Sequence, residues 1–337
     1  MSESGRELIS LAEEIILNVC TSLSKADLAT FIQTCRTLNR IGTEVLYNTL
    51  TGDLLYEVYQ WAQIRGLTQT MLDTIPAILR NPPMAHRLEI NLLRLAIGNG
   101  VPSMPGTSYP TVIAKLLEHG VSPHLDAPHL TTELTPLMQI ARDGQNPDCL
   151  AVVQQLLAAG AGTTINYINN LNHSALHCAA FGGNVAVMTE LINAGANVNL
   201  YQNISRITPL RSAVCAGHLP AVQLLVSRGA DVNIAEIYGW TPLMAAAEGQ
   251  KLSILNFLLQ SGANPDARKH DGKTALHIAV LFPYLNIVQA LVDAGCDCTL
   301  KDDSGRLAVD FCHGPQDEAI KAAIEKGPSN PSQWGSA

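Results

Sequence analysis

Cys296-x-Cys298 is the one close pair of thiols in this chain. Together with Cys312 and His313 it would make a thiolate-rich donor set of the kind zinc takes in tetrahedral geometry. The surrounding string Gly295-Cys296-Asp297-Cys298-Thr299 has the form of a turn that recurs elsewhere in the chain with other residues, and a turn accounts for both thiols more economically than a metal. His177 and His277 each follow a hydroxyl residue by three positions, Ser174 and Thr274, at the start of a helical pattern. Their spacing suits an imidazole bonded to the backbone of adjacent turns better than a general base. Asp302-Asp303 reads as a solvated pair of charges at a loop tip. The chain has no glycine-rich phosphate loop, no Gly-x-Ser-x-Gly elbow and no His-Glu-x-x-His. Its scattered thiols lack the electropositive setting that activates a nucleophile. The sequence therefore points to no enzyme, and it implies no cofactor and no metal.

What positions these residues is a repeated phrase: a hydroxyl residue, then Pro or Ala, then Leu. It occurs as Thr135-Pro136-Leu137, Ser174-Ala175-Leu176-His177, Thr208-Pro209-Leu210, Thr241-Pro242-Leu243 and Thr274-Ala275-Leu276-His277. From Thr208 to Thr241 to Thr274 the period is 33 residues. A second phrase runs in phase with it, two apolar residues, two variable ones and then Gly, as in Leu191-Ile192…Gly195 and Leu225-Val226…Gly229. Constant spacing of this length marks stacked units, each too small to bury its apolar face alone. One unit can be read residue by residue. Thr208 caps a helix, Pro209 takes the first helical position, and Leu210, Ala213 and Val214 form its apolar face. Gly217 ends that helix, and a second one runs from about 220 to 227 and stops at Gly229.

Thr-Pro-Leu-His-x-Ala-Ala…Gly followed by Leu-Leu…Gly-Ala-x-x-Asn resembles the ankyrin repeat. Gly195-Ala196-Asn197-Val198-Asn199 and Gly229-Ala230-Asp231-Val232-Asn233 match its hairpin closely. The resemblance implies an all-α fold, an α-solenoid with short hairpin turns, over 88–327. Units fall at about 88–130, 131–169, 170–202, 203–235, 236–268, 269–301 and 302–327, with a degenerate unit or linker helices at 52–87 and a flexible tail at 328–337. A Pro-, Gly- and Ser-rich insertion at 101–110 reads as a surface loop. The last unit replaces Thr-Pro-Leu by Leu307-Ala308-Val309.

With 47% apolar residues the chain of 337 residues is a folded protein. A formal net charge of −8 argues against a nucleic-acid surface, although Arg268, Lys269, His270 and Lys273 cluster locally. No uncharged stretch reaches transmembrane length and the acidic N-terminus carries no signal peptide, so the expected location is cytoplasmic or nuclear. The eight cysteines form no disulfide framework, in keeping with that compartment.

Residues 6–50 follow a different pattern. Leu11, Ile15, Val19 and Leu23 step along one helical face, Leu28, Phe31, Ile32 and Cys35 along a second, and Ile41, Val45 and Leu46 suggest a third. The string Leu11-Ala12-Glu13-Glu14-Ile15-Ile16, Asp27-Leu28, Thr34-Cys35-Arg36-Thr37-Leu38-Asn39 and Leu46-Tyr47 resembles an F-box, with Ala12 where proline is usual. That resemblance implies a substrate receptor of a Skp1-cullin-F-box ubiquitin ligase, with Leu11, Ile15, Ile16, Leu28 and Leu38 matching the F-box apolar positions. Some of these would meet Skp1 while others pack the helices together. The alternative is an ankyrin scaffold whose N-terminal helices are only a cap.

Recognition of a protein partner should use positions that the repeat leaves variable, the hairpin tips and the exposed side of the first helices. In register these include Phe181, Tyr238, Trp240, His270 and Phe282. Tyr238 and Trp240 are aromatic where the repeat asks for none, and aromatic anchors are typical of binding hot spots. The ankyrin resemblance also implies Asn199 and Asn233 as candidate sites for an asparaginyl hydroxylase, each eight residues after a Leu (Leu191 and Leu225).

Overall fold

The computed structural model describes residues 109–118, 134–143, 148–201, 205–312 and 317–327. The segments read above as F-box-like (6–50), as a degenerate unit (52–87) and as a tail (328–337) lie outside the described residues, and so do Leu11, Ile15, Ile16, Leu28 and Leu38. Among the described residues there are α-helices, short 3-10 turns and no strand, with one isolated bridge between Lys301 and Leu307.

The helices divide between two compact units. The first holds α1 (Tyr109–Glu118), most of α2 (Pro136–Arg142) and α3 (Cys149–Ala158). In it α1 packs on α3, and Ile113, Leu116, Val152, Val153 and Leu156 are buried. Tyr109 and Pro110, read from sequence as the end of a surface loop, open α1 instead. The missing N–H of Pro110 falls in a first turn, where backbone donors have no helical partner in any case. Thr135 caps α2 by accepting the Met138 N–H at 3.2 Å, and the Cys149 thiol donates to the Ile140 carbonyl.

The second unit runs from residue 162 onward and takes in 141–145. It is built of helix pairs: α4 (Ala175–Gly182) with α5 (Val185–Asn193), α6 (Pro209–Ala216) with α7 (Leu219–Ser227), α8 (Pro242–Glu248) with α9 (Leu252–Gln260), and α10 (Ala275–Leu281) with α11 (Leu285–Asp293). The first helices stack α4 on α6 on α8 on α10, and the second helices stack α5 on α7 on α9 on α11. Small residues allow the first row its close approach: Ala179, Ala180, Ala213, Ala246 and Ala279 are wholly buried.

Each first helix starts as its residues dictate. The hydroxyls of Thr208 and Thr241 accept the N–H of Arg211 and Met244 at 3.2 Å, and proline occupies the first helical position of both α6 and α8. Gly183 and Gly217 end α4 and α6 in the left-handed region, at φ 72° and 85°. The final repeat departs from the pattern. Leu307 has no hydroxyl to cap with, and only a 3-10 turn forms over Ala308–Phe311, held by the Asp310 carboxylate accepting the Leu307 N–H at 2.7 Å. After it α12 (Glu318–Lys326) packs against α11.

Candidate protein-binding site

Consecutive tips of the second unit are tied by backbone bonds. The Ile237 N–H donates to the Ser205 carbonyl at 3.1 Å, His270 N–H to Tyr238 at 2.8 Å and Asp303 N–H to Asp271 at 3.0 Å. Two residues before each capping residue the chain enters the left-handed region, at Asn172 (φ 65°), Arg206 (57°), Gly239 (80°), Gly272 (77°) and Gly305 (78°), the last ahead of the 3-10 turn. Glycine and asparagine take this region readily; a Cβ on Gly239 would lie 2.8 Å from the Lys269 Cα. Tyr238 adopts φ 65° as well, one residue early.

Below the tips a second ladder joins the units through side chains. Asn199 donates its amide to the Gly229 carbonyl at 3.0 Å and accepts the Asp231 N–H at 2.9 Å. Asn233 repeats this with Gly262 and Asn264 at 3.1 and 2.8 Å, and Asn166 with Gly195 and Asn197 at 3.2 and 2.8 Å. Asp266 keeps the accepting half, taking the Asp297 N–H at 2.8 Å. Thr299, next in register, turns back and donates its hydroxyl to Asp297 at 2.6 Å. The two asparagines singled out from sequence thus have both ends of their amides engaged between units.

Of the sequence-predicted contact residues, Tyr238, Trp240 and His270 come together. The Tyr238 ring stands out, 60% exposed, and meets the exposed His270 edge-on at 5.8 Å. Trp240 is half-buried, with the Lys269 ammonium 5.4 Å above its ring. Phe282 and Phe181 are exposed but lie elsewhere. Phe282 follows the C-terminus of α10 and stacks on Tyr284 at 6.0 Å, so the whole of that helix, about 10 Å along its axis, separates it from His270. Exposed Leu281 and Leu285 flank it, giving a second apolar patch.

The charges at the tips are largely paired. Asp271 takes the ammonium groups of Lys269 and Lys273 at 2.7 Å each, and Arg268 reaches Asp303 at 3.4 Å. Burial alone would raise the Asp271 carboxyl; bonds from Lys269 and Lys273 outweigh it and hold the group well below the usual carboxylate range. The basic cluster seen in the sequence is therefore largely offset where it stands, the carboxylates of Asp271 and Asp303 facing three cations. Asp302, read from sequence as solvated, is buried: its carboxylate accepts the Ser304 and Arg306 N–H groups at 2.9 Å and binds the Arg306 guanidinium at 3.0 and 2.8 Å. The turn folds over its own carboxylate, which satisfies the donors that the tip would otherwise leave open.

Two groups escaped the sequence reading. Arg211 on α6 and Glu236 before the next tip pair at 2.6 Å with both side chains mostly buried. Burial raises the Glu236 carboxyl and Arg211 counters it. Lys251 bonds the Val214 carbonyl at 2.7 Å and also that of Cys215, so a cation sits at the C-terminal end of α6. These residues are 25 and more positions apart, and only the stacking of units brings them together.

His177 and His277 have the structural role that their spacing suggested. Nδ1 of His177 accepts the Ser174 N–H at 3.1 Å, which leaves Nε2 to donate to Ile207 of the next unit at 3.0 Å. His277 does the same from Thr274 to Arg306 at 3.2 and 3.3 Å. Cys149 and Cys178 are buried, whereas Cys215 on α6 is exposed. Among the described residues no three His, Cys, Asp or Glu side chains converge as a metal site, and no helix is long and apolar enough to cross a membrane.

Known proteins share this pattern. The family model for ankyrin repeats (three copies) matches residues 106–202, 137–236 and 210–302. An E3 ubiquitin-protein ligase, KEG, of Arabidopsis thaliana is 36% identical over 29% of this chain and 6% of its own length. Protein PhlB of Serratia liquefaciens is 36% identical over 33% of this chain and 47% of its own. The neurogenic locus Notch protein of Drosophila melanogaster is 34% identical over 34% and 5%. The chain thus spans less than half the length of each of these relatives.

Proposed function

The chain belongs to the ankyrin repeat family, whose arrays bind proteins, and on that premise we propose that it is a substrate receptor: an N-terminal F-box-like segment docks a Skp1-like adaptor while the tips around Tyr238, Trp240 and His270 hold a substrate protein. The observation that carries the binding surface is Tyr238 itself. A non-glycine residue in the left-handed region costs about 1–2 kcal/mol, and a bulky aromatic would recover that by burial if its role were structural. This ring is 60% exposed. Strain retained with only an edge contact to His270 in return suits a side chain held out for a partner to cover. A partner burying Tyr238, with His270 beside it, would gain a few kcal/mol, the range of aromatic hot spots.

The ubiquitin part rests on the string from Leu11 to Tyr47, because the plant ligase shares only a fraction of this chain. Ala12 in place of proline favours the second reading, a scaffold whose first helices cap the array. Either receptor or scaffold works in the cytosol or nucleus. Asn199 and Asn233 are, on the same reading, positions for hydroxylation, checked by one added oxygen in the mass of protein from its native cell.

The test is capture of purified Skp1 by the whole chain. Binding at micromolar concentration is expected, lost in Leu11→Ala/Ile15→Ala with the helical circular dichroism of the array unchanged. Tyr238→Ala/Trp240→Ala should keep Skp1 and lose the substrate. No Skp1 capture by the intact chain would leave the scaffold reading in its place.

A further inference from the structure

The turn of the repeat at 269–301 carries two thiols where its counterparts carry none. Ala196 and Val198, Ala230 and Val232, and Ala263 and Pro265 correspond to Cys296 and Cys298. Cys296 is as buried as the alanines it replaces, at 9% against 8%, 7% and 5%, while Cys298 is half-buried. The turn holds them firmly. The Cys296 N–H bonds the Leu291 carbonyl at 3.2 Å. The Asp297 N–H bonds the Asp266 carboxylate of the preceding repeat at 2.8 Å, and the Asp297 carboxylate accepts the Thr299 N–H at 2.8 Å. Within this frame the Cys298 thiol donates to the Cys296 carbonyl at 3.7 Å, which sets its sulfur against the backbone of Cys296.

We propose that Cys296 and Cys298 form a reversible dithiol–disulfide site, oxidised by a hydroperoxide. The reach is right: two residues span at most about 7 Å when extended. Any bend at Asp297 shortens that span toward the roughly 4.4–6.8 Å that a disulfide bridges. The site is asymmetric in the way such chemistry requires. The Cys296 thiol, donating to the Cys298 sulfur, favours a thiolate there and draws it down to about 7, whereas the same bond and burial push Cys296 up. The nearby carboxylates of Asp266 and Asp297 oppose this at Cys298 without reversing it.

The Cys298 thiolate attacks the peroxide, the O–O bond breaks, and Cys298 becomes a sulfenic acid, while the departing hydroxide or alkoxide takes back through solvent the proton that Cys298 shed and leaves as water or an alcohol. The Cys296 sulfur then attacks the Cys298 sulfur, the S–O bond breaks, and the Cys296 proton leaves with the hydroxide as a second water. Two thiols have lost two electrons and the peroxide has gained them. A ring this small is strained, and strained disulfides are the readily reduced ones, so dithiothreitol or a cellular dithiol restores the site. Closing the ring draws Cys296 from its buried seat and stresses the Asp266–Asp297 link between repeats.

The experiment is a titration of the whole reduced chain with hydrogen peroxide, followed by maleimide labelling and peptide mass analysis. The expected result is that the peptide holding residues 296–298 loses two hydrogens and takes no maleimide, and that dithiothreitol reverses this. Exposed, solitary Cys215 serves as the internal reference. Before oxidation Cys298 should label on the order of tenfold faster than Cys215, as its larger thiolate fraction dictates. In Cys296→Ser the oxidation should stop at a sulfenic acid on Cys298, trapped by dimedone. In Cys298→Ser, Cys296 should stay reduced over the same interval. The proposal is overturned if both thiols still take maleimide at a peroxide dose that oxidises Cys215, or if Cys298→Ser leaves oxidation of Cys296 as fast as before.

Discussion

His177 and Ile207 are joined by a single buried bond, from the imidazole Nε2 to the carbonyl oxygen at 3.0 Å, across 30 residues of chain. The two bonds together need a neutral ring, because a protonated Nδ1 could no longer accept the Ser174 N–H. Burial, despite the opposing help of the Ile207 carbonyl, lowers His177 from 6.5 to about 4. The unfolded chain therefore binds a proton that the native state refuses between those values. Stability should be full above about pH 6.5 and fall as pH drops toward 4, by about 3 kcal/mol from this residue at 1.36 kcal/mol per pH unit. Urea midpoints across pH 4–8 will show it. His177→Gln should lower stability at pH 7 and flatten the slope; an unchanged slope would exclude His177 as its source.

Asn233 is the cleanest test of the ladder between turns. Asn233→Ala removes a donor to Gly262 and an acceptor for the Asn264 N–H, both near the surface, and should cost about 1–2 kcal/mol. Asn233→Asp keeps the accepting half, as Asp266 does naturally, and should cost less than Ala. Amide exchange at Asn264 should quicken in both variants, more in Ala.

Arg211 and Glu236 test a charge pair hidden between repeats. Breaking a buried pair from one side costs about 3–5 kcal/mol, and the residual exposure here puts Glu236→Ala nearer 2–3. That variant also leaves Arg211 without its partner beside Lys251, whose ammonium is lowered by burial and by Arg211. The double replacement Arg211→Met/Glu236→Leu should recover most of the loss. A double-mutant cycle in chemical denaturation measures the coupling.

The left-handed position before each first helix predicts opposite signs at two sites. Arg206 holds φ 57° with a Cβ, so Arg206→Gly should stabilise by up to about 1 kcal/mol, less what its contact over Tyr201 contributes. Gly239→Ala must push against the Lys269 backbone and should destabilise by about 1–3 kcal/mol. Because Gly239 adjoins Tyr238, it should also weaken partner capture. Thermal melts of the two variants give the comparison.

How much of this was legible in the sequence follows from the range of each interaction. Thr208, Pro209 and Gly217 act within one turn of helix, and their positions gave the start and end of α6 correctly. The 33-residue period gave the stacking, since each unit must cover its neighbour. Asp302 was misread because acidic residues at tips are usually solvated; only the path of the turn shows its carboxylate folded inward. Arg211 with Glu236, and Lys251 with the end of α6, meet through the rotation of one repeat on the next, which no local pattern encodes. Tyr238 stood out by type alone, but its left-handed backbone could not be read from neighbours that place glycine one residue later.

The imidazole and amide side chains that link the repeats all point one way along the chain. His177 reaches Ile207, Asn199 reaches Gly229, Asn233 reaches Gly262 and His277 reaches Arg306, each from an earlier repeat to a later one. The stack therefore has a grain, like a row of hooks that all open in the same direction. Removing repeats from the leading side takes hooks away and strips the next repeat only of groups it received. Cutting on the trailing side leaves hooks with nothing to catch. Thr299 is a hook turned back on its own turn, so the His277 bond to Arg306 has no amide hook beside it where the final repeat begins.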